Sequence, residues 1–171
     1  TSGAMSYVTA VLMWFHILGA IGWLGAAMFF GMIIGPLLPG LSPATRAELM
    51  VKLVPRFTRY VAGFAIATPV FGVALIFAIA GGDLSILSPS NPFGLFISAG
   101  AAVTIVAMIL AFVVVLPTAN KIVGITKNMQ QNPGPPPPEL PAVQKRLRIG
   151  ATTVMVLLLI VLGFMVAAGN I

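Results

Sequence analysis

The side chain best suited to chemistry in this sequence is His16, the only histidine among 171 residues. It lies nine residues after Tyr7 in an apolar stretch without formal charge, which is about 13–14 Å along a helix. Because the hydrocarbon core of a bilayer is about 30 Å thick, this depth predicts a histidine near the membrane midplane. Ionisable residues there are rare and usually face the interior of the helix bundle. Such an imidazole suits a haem or copper ligand, a proton-relay group, or a hydrogen bond that only holds two helices together.

Two weaker candidates for cofactor binding accompany His16. Trp23 follows it along the same predicted helix face, and Gly19 and Gly22 lie between them. Small residues let a second helix or a flat cofactor approach closely. Met108 is about midway along the third apolar stretch, and a thioether is a soft ligand for Cu(I) and an axial ligand for haem iron. Helix packing is the alternative interpretation for these small residues and for Met108.

A basic and aromatic cluster, Arg56, Arg59 and Tyr60, opens the second apolar stretch. Arginine and tyrosine at such a boundary usually anchor a helix among lipid headgroups. The alternative is that the cluster pairs with an anion, such as a haem propionate.

The composition is that of a membrane protein. Mean hydropathy is +1.09, and charged residues make up 7% of the chain, whereas soluble domains carry about 25%. The net charge of +6 does not indicate nucleic-acid binding, because the basic residues flank apolar stretches. The chain has no cysteine, which excludes disulfides and thiolate metal sites. No carboxylate lies within an apolar stretch, which argues against a carboxylate-based proton or cation pump.

The pattern predicts an all-α, four-helix transmembrane bundle as a single domain over residues 5–171, after an expression-tag remnant at 1–4. Ser42 and Pro43 are typical of an N-cap and a first helical residue, and they predict an interfacial amphipathic helix ahead of the second span. The predicted transmembrane helices are 7–35, 56–80, 93–123 and 141–168, and the predicted interfacial helix is 43–54.

All nine Lys and Arg residues belong to two of the three connections and their flanks: Arg46, Lys52, Arg56, Arg59, Lys121, Lys127, Lys145, Arg146 and Arg148. With four spans, these two connections fall on one side of the membrane. The middle connection and both termini fall on the other. The positive-inside tendency predicts that the basic connections are cytoplasmic and both termini are outside, in a plasma or inner membrane. Gly31 and Gly35 form a GxxxG pair, which predicts either packing within the bundle or a homodimer contact.

The segment Trp14-Phe15-His16-Ile17-Leu18-Gly19-Ala20-Ile21-Gly22-Trp23 and its continuation to Phe30 resembles a loose group of membrane proteins. In that group a histidine is followed by a tryptophan, small residues and an aromatic pair. The group includes the CopD copper-resistance family, the HemJ protoporphyrinogen oxidase family and the membrane domain of PuuD-type urate oxidases. The Pro117-Thr118-Ala119-Asn120-Lys121 segment is similar to the end of a helix in the PuuD type.

The resemblance implies a four-helix bundle in which the first-helix histidine, His16 here, binds haem b. HemJ-like proteins pair that histidine with a lysine deep in a later helix, and no lysine lies deep in a span of this chain; Lys121 is the nearest. His16 with Met108, His16 with water, and no haem at all are the open alternatives. The leading hypothesis is therefore a haem b-binding membrane protein with a role in electron transfer or haem handling. The alternatives are a copper or small-solute transporter and a non-catalytic assembly subunit.

Overall fold

A computed structural model describes residues 6–170. The proposed tag remnant at 1–4 lies outside the described residues, as do Met5 and Ile171. Four helices are each long and apolar enough to cross a membrane: α1 (Tyr7–Gly40), α2 (Pro43–Ala80), α3 (Pro92–Gln131) and α4 (Leu140–Ala168). The prediction of an all-α, four-helix membrane protein is confirmed.

The predicted division between an interfacial helix at 43–54 and a span at 56–80 is wrong, because α2 is one helix from Pro43 to Ala80. It begins as expected, with the Ser42 hydroxyl accepting a hydrogen bond from the Thr45 N–H. It then continues through Pro55, because the fixed φ of proline is itself helical and the ring removes only one backbone donor. Gly81 ends the helix in the left-handed conformation at φ +57°, which glycine adopts without steric cost.

The first and third helices also run further than predicted, to Gly40 and Gln131 instead of 35 and 123. Each contains a π-helical turn, at Phe30–Ile34 and at Ala111–Val115. A proline, Pro36 or Pro117, follows shortly after each turn. The locally wider hydrogen-bonding pattern lets the helix pass a residue that lacks a backbone donor. The fourth helix begins one residue before the prediction.

The helices form two antiparallel hairpins, α1 with α2 and α3 with α4, which are the closest packed helix pairs. One hydrophobic cluster, called here the central cluster, joins all four helices. Its buried members are Trp23, Ala65, Ala107, Ala111, Val154 and Leu158. A second cluster lies nearer the two basic connections and includes Met50, Val54, Ala119, Ile122 and Val123.

The end of the bundle that holds the α1–α2 and α3–α4 connections carries every Lys and Arg, and it is called here the basic end. The α2 helix packs far more extensively on the Leu116–Gln131 part of α3, at the basic end, than on the Pro92–Leu110 part. The α2 and α3 helices therefore diverge toward the other end, called here the opposite end, where the described chain begins and ends.

The connection at the opposite end folds tightly onto α3. A short 3₁₀ turn, Leu84–Leu87, begins after Asp83, whose carboxylate accepts a hydrogen bond from the Ser85 N–H at 2.9 Å. This hydrogen bond holds the pKa of the Asp83 carboxyl below its ordinary value. A side chain at Gly94 would lie 2.5 Å from the carbonyl oxygens of Ile86 and Ser88, so only glycine permits this close approach.

The Gly31 and Gly35 pair does not form a tight contact within the described chain. A Cβ at Gly31 would meet only the Met155 sulfur at 3.8 Å, and a Cβ at Gly35 would meet a carbonyl of its own helix, that of Phe30. Neither glycine packs closely against another of the described helices, so a homodimer contact through this pair stays a prediction.

Candidate functional site

His16 is half-buried on α1 and forms a hydrogen bond to α2. Its Nδ1 lies 2.8 Å from the backbone carbonyl oxygen of Thr68. A carbonyl oxygen only accepts hydrogen bonds, so Nδ1 is the donor and carries a proton. This single contact fixes the orientation of the imidazole ring and leaves Nε2 as the nitrogen with a lone pair in the neutral ring.

Two glycines make this contact geometrically possible. Within α2 the carbonyl of Thr68 is overlaid by Gly72, one turn later, and the histidine ring occupies the space that a side chain there would fill. A Cβ at Gly72 would lie 2.9 Å from Cε1 and 3.0 Å from Nδ1 of His16. On α1, a Cβ at Gly19 would lie 2.9 Å from the Thr68 hydroxyl oxygen and 3.2 Å from its Cα. Each helix therefore lacks a side chain where the other approaches.

A third glycine extends the close contact toward the centre of the bundle. A Cβ at Gly22 would lie 2.4 Å from the ring of Phe64. Thr68 is itself buried, and its hydroxyl donates to the Phe64 carbonyl at 2.7 Å. The Thr68 hydroxyl, which packs against Gly19, is thus satisfied within its own helix, and the backbone carbonyl of Thr68 is the group that bonds to His16.

The Nε2 atom of His16 has no hydrogen-bond partner among residues 6–170. It also reaches the accessible surface, because in this part of the chain the one buried side-chain polar atom without a partner is the Nε of Arg46. The ring is thus held by one nitrogen, while the other has accessible surface and no hydrogen-bond partner among the described residues.

Aromatic side chains flank this position on both helices. Phe15 of α1 stacks on Phe71 of α2, with ring centroids 4.9 Å apart and ring planes inclined by 16°. Trp14 meets Phe15 edge-on and is 60% exposed. Phe15 directly precedes His16, and Phe71 directly precedes Gly72. The surface next to the histidine is therefore apolar and aromatic.

The structure brings the two weaker candidates together, but away from His16. Trp23 is 1% exposed and belongs to the central cluster, and Met108 packs against that cluster. The spacing explains this: Trp23 is sixteen residues from the start of α1, and Met108 is sixteen residues from the start of α3. At 1.5 Å per residue both lie about 10 Å deeper than His16. Their contacts are those of packing residues.

The basic and aromatic cluster lies on the surface of α2, nearer the basic end than Thr68, the residue that His16 contacts. Arg56, Arg59 and Tyr60 are all exposed. Arg56 donates to the Lys52 carbonyl at 2.7 Å, and Arg59 donates to the Pro55 carbonyl at 3.2 Å. The Tyr60 ring lies 4.6 Å from that of Phe64. Both guanidinium groups retain further donors for headgroup phosphates, which agrees with an anchoring role.

The sequence analysis identified His16 but not Thr68, which accepts its hydrogen bond, or Gly72, against which its ring packs. The spacing of residues along the two helices contains a signal for this contact. Gly72 lies eight residues before the end of α2 and His16 lies nine residues after the start of α1, so their depths from the opposite end differ by one residue. A small residue at matching depth on a neighbouring helix is a site where a larger side chain inserts.

The described residues bring no three His, Cys, Asp or Glu side chains together as a metal-binding group. A metal at His16 would therefore have this histidine as its one strong ligand from this part of the chain. Family models, curated proteins and solved structures were all compared with the chain, and none of them matches it.

Proposed function

We propose that this chain is an integral membrane haem b-binding protein, with a role in electron transfer or haem handling, and that His16 ligates the iron through Nε2. The observation that carries the proposal is the pair of ring nitrogens: Nδ1 is bound to the Thr68 carbonyl, and Nε2 is accessible without a partner. Histidines that ligate metals usually donate their other ring N–H to a backbone carbonyl, a carboxylate or water.

The surroundings of His16 suit a flat apolar group. The α2 helix has few contacts with the Pro92–Leu110 part of α3, and His16 lies on that side of the central cluster. Stacked Phe15 and Phe71 supply apolar aromatic surface beside it. A histidine serving helix packing alone requires the Thr68 contact but does not require an accessible Nε2.

Bound haem would supply one-electron redox chemistry, and the residues of this chain would bind and orient it. The Thr68 carbonyl holds the proton on Nδ1 and strengthens Nε2 as a donor. Met108 packs against the central cluster, so we propose that His16 and not Met108 would hold the haem.

The experiment is a visible spectrum of the full chain, purified in detergent and titrated with hemin. We expect one equivalent to bind with a Soret band, and His16→Ala to abolish the stoichiometric phase. Met108→Leu is the matched control and is expected to leave the spectrum unchanged. A His16→Ala titration that matches the wild type would overturn haem ligation by His16, and loss of the band in Met108→Leu would reinstate the methionine as a ligand.

We further propose that the basic end faces the cytoplasm of a plasma or inner membrane. The support is that all nine Lys and Arg residues lie at this end, as the positive-inside tendency requires. Ser90, exposed in the connection at the opposite end, provides the test. A cysteine introduced by Ser90→Cys in this cysteine-free chain is expected to react with an impermeant maleimide in intact cells. Reaction only after lysis would reverse the orientation.

A further inference from the structure

An open groove runs between α3 and α4 at the basic end, well away from His16. Its volume is about 450 Å³. Leu110 and Val114 of α3 and Ile149 and Gly150 of α4 supply apolar lining, and Lys145 and Arg146 stand at one end. Thr153 lies at the other end, eight residues or about 12 Å along α4 from Lys145. The groove is thus apolar along its length and cationic at its mouth.

Small residues and an irregular helix create the groove. Gly150 is buried, and a Cβ there would lie 3.2 Å from Val115 and 3.3 Å from Val114, so it forms a floor where the two helices touch. Leu110 directly precedes the π-helical turn Ala111–Val115, and Val114 lies within it. A π-turn displaces the side chains that follow it, and such turns often occur at functional sites.

The cations at the mouth lack acidic partners. Within residues 6–170 the ion pairs are Lys52 with Glu48 and Lys121 with Glu139, and the remaining acid, Asp83, lies at the opposite end. A second hollow of about 300 Å³ shares Lys145 with the groove and adds Arg148. Two positive charges without acidic partners among the described residues, those of Lys145 and Arg146, therefore lie at the entrance to the apolar groove, and Arg148 lies in the adjoining hollow.

We propose that this groove is a binding site for one anionic phospholipid. Lys145 and Arg146 bind the headgroup phosphate, and an acyl chain lies along Leu110, Val114, Ile149 and Gly150. The charge and the apolar lining are arranged in the same order as in such a lipid. Basic pockets between transmembrane helices bind anionic headgroups in this way. A soluble anion would leave the apolar part of the groove uncovered.

The experiment compares two lipids with identical acyl chains, phosphatidylglycerol and phosphatidylcholine. The full chain is reconstituted in an equimolar mixture, extracted in mild detergent, and analysed by native mass spectrometry for retained lipid. We expect one retained phosphatidylglycerol per chain. Removing two headgroup cations in K145Q/R146Q is expected to reduce its retention relative to phosphatidylcholine by about thirtyfold.

Two further variants distinguish lipid binding in the groove from attraction of the lipid to surface charge in general. K52Q/K127Q removes two exposed cations at the same end outside the groove and is expected to retain the lipid as the wild type does. Ile149→Trp fills the groove with every charge kept and is expected to lose the lipid. Equal retention of both lipids by the wild type, or the same loss in K52Q/K127Q as in K145Q/R146Q, would overturn the proposal.

A measurement on the unmodified chain covers the case in which a variant does not fold. Photoactivatable phosphatidylglycerol, labelled in the acyl chain, is expected to crosslink to the apolar lining of the groove, within residues 110–114 and 149–153. Labelling spread evenly over all four helices would contradict a single site.

Discussion

Replacing Trp23 by alanine is expected to lower the free energy of unfolding by about 2–3 kcal/mol. Trp23 is 1% exposed and is the largest fully buried side chain among the described residues. It contacts a cluster to which all four helices contribute, including Ala65, Ala107 and Val154. Three of the five other buried members, Ala65, Ala107 and Ala111, are alanines, which have no rotatable side chain with which to fill the space that the indole would leave.

The size of this expected loss of unfolding free energy depends on the apolar medium that surrounds the helices. In soluble proteins, removal of a buried aromatic side chain costs about 3–5 kcal/mol, and part of that cost is the lost transfer from water. Within a bilayer the separated helices still place the side chain in an apolar medium, so the loss is mainly that of packing contacts and of a cavity. We therefore expect a value at or below the lower end of the soluble range.

The measurement is reversible unfolding in mixed micelles of mild detergent and dodecyl sulfate, followed by circular dichroism. Trp14→Ala is the matched control, because Trp14 lies on the same helix but is 60% exposed. It is expected to change the free energy of unfolding by less than about 0.5 kcal/mol. Equal losses in the two variants would mean that the central cluster does not hold the two hairpins together.

The sequence predicts the four helices because their lengths and apolar composition are set by the bilayer, which acts on every residue alike. The ends of the helices depend on individual residues, and there prediction failed. Pro36 and Pro55 each indicate a helix end, yet α1 passes the first through a π-turn and α2 passes the second without a break. Both outcomes depend on local hydrogen bonding that composition does not specify.

The paired π-turns also relate the two hairpins in a way that residue patterns did not reveal. In α1 and in α3 the turn closes with a hydrogen bond to the carbonyl of its first residue, Phe30 or Ala111, and a proline follows at once. The residues around the two turns differ, so no repeat is detectable in the sequence. The similarity lies in the backbone.

His16 shows the same division between what composition predicts and what it does not. Its depth follows from counting along a helix, but its partner is a backbone carbonyl, which every residue has. The identity of that carbonyl depends on the rotation of α2 about its axis, which Gly19, Gly22 and Gly72 fix through close approach. Thr68 and Gly72 therefore emerge only when the two helices are placed side by side.

Gly72→Ala is expected to weaken haem binding by about 10–100-fold while leaving His16 in the chain, which is the usual range for loss of the group that orients a ligating histidine. The added methyl group would lie 2.9 Å from Cε1 and 3.0 Å from Nδ1 of His16. Because the ring is the end of a flexible side chain, it is expected to rotate away and to lose its bond to the Thr68 carbonyl, rather than to displace α2.

Gly63→Ala is the matched control on the same helix, because a Cβ there meets nothing within 4 Å. Both substitutions raise the helix propensity of α2 by up to about 1 kcal/mol, so the difference between them reports the contact with His16 alone. The readouts are the hemin titration and the rate of haem transfer to an acceptor protein. If the two variants bind haem equally well, the Thr68 contact does not orient the ligand. If the wild type binds no haem and Gly72→Ala unfolds more readily than Gly63→Ala, His16 is a packing residue.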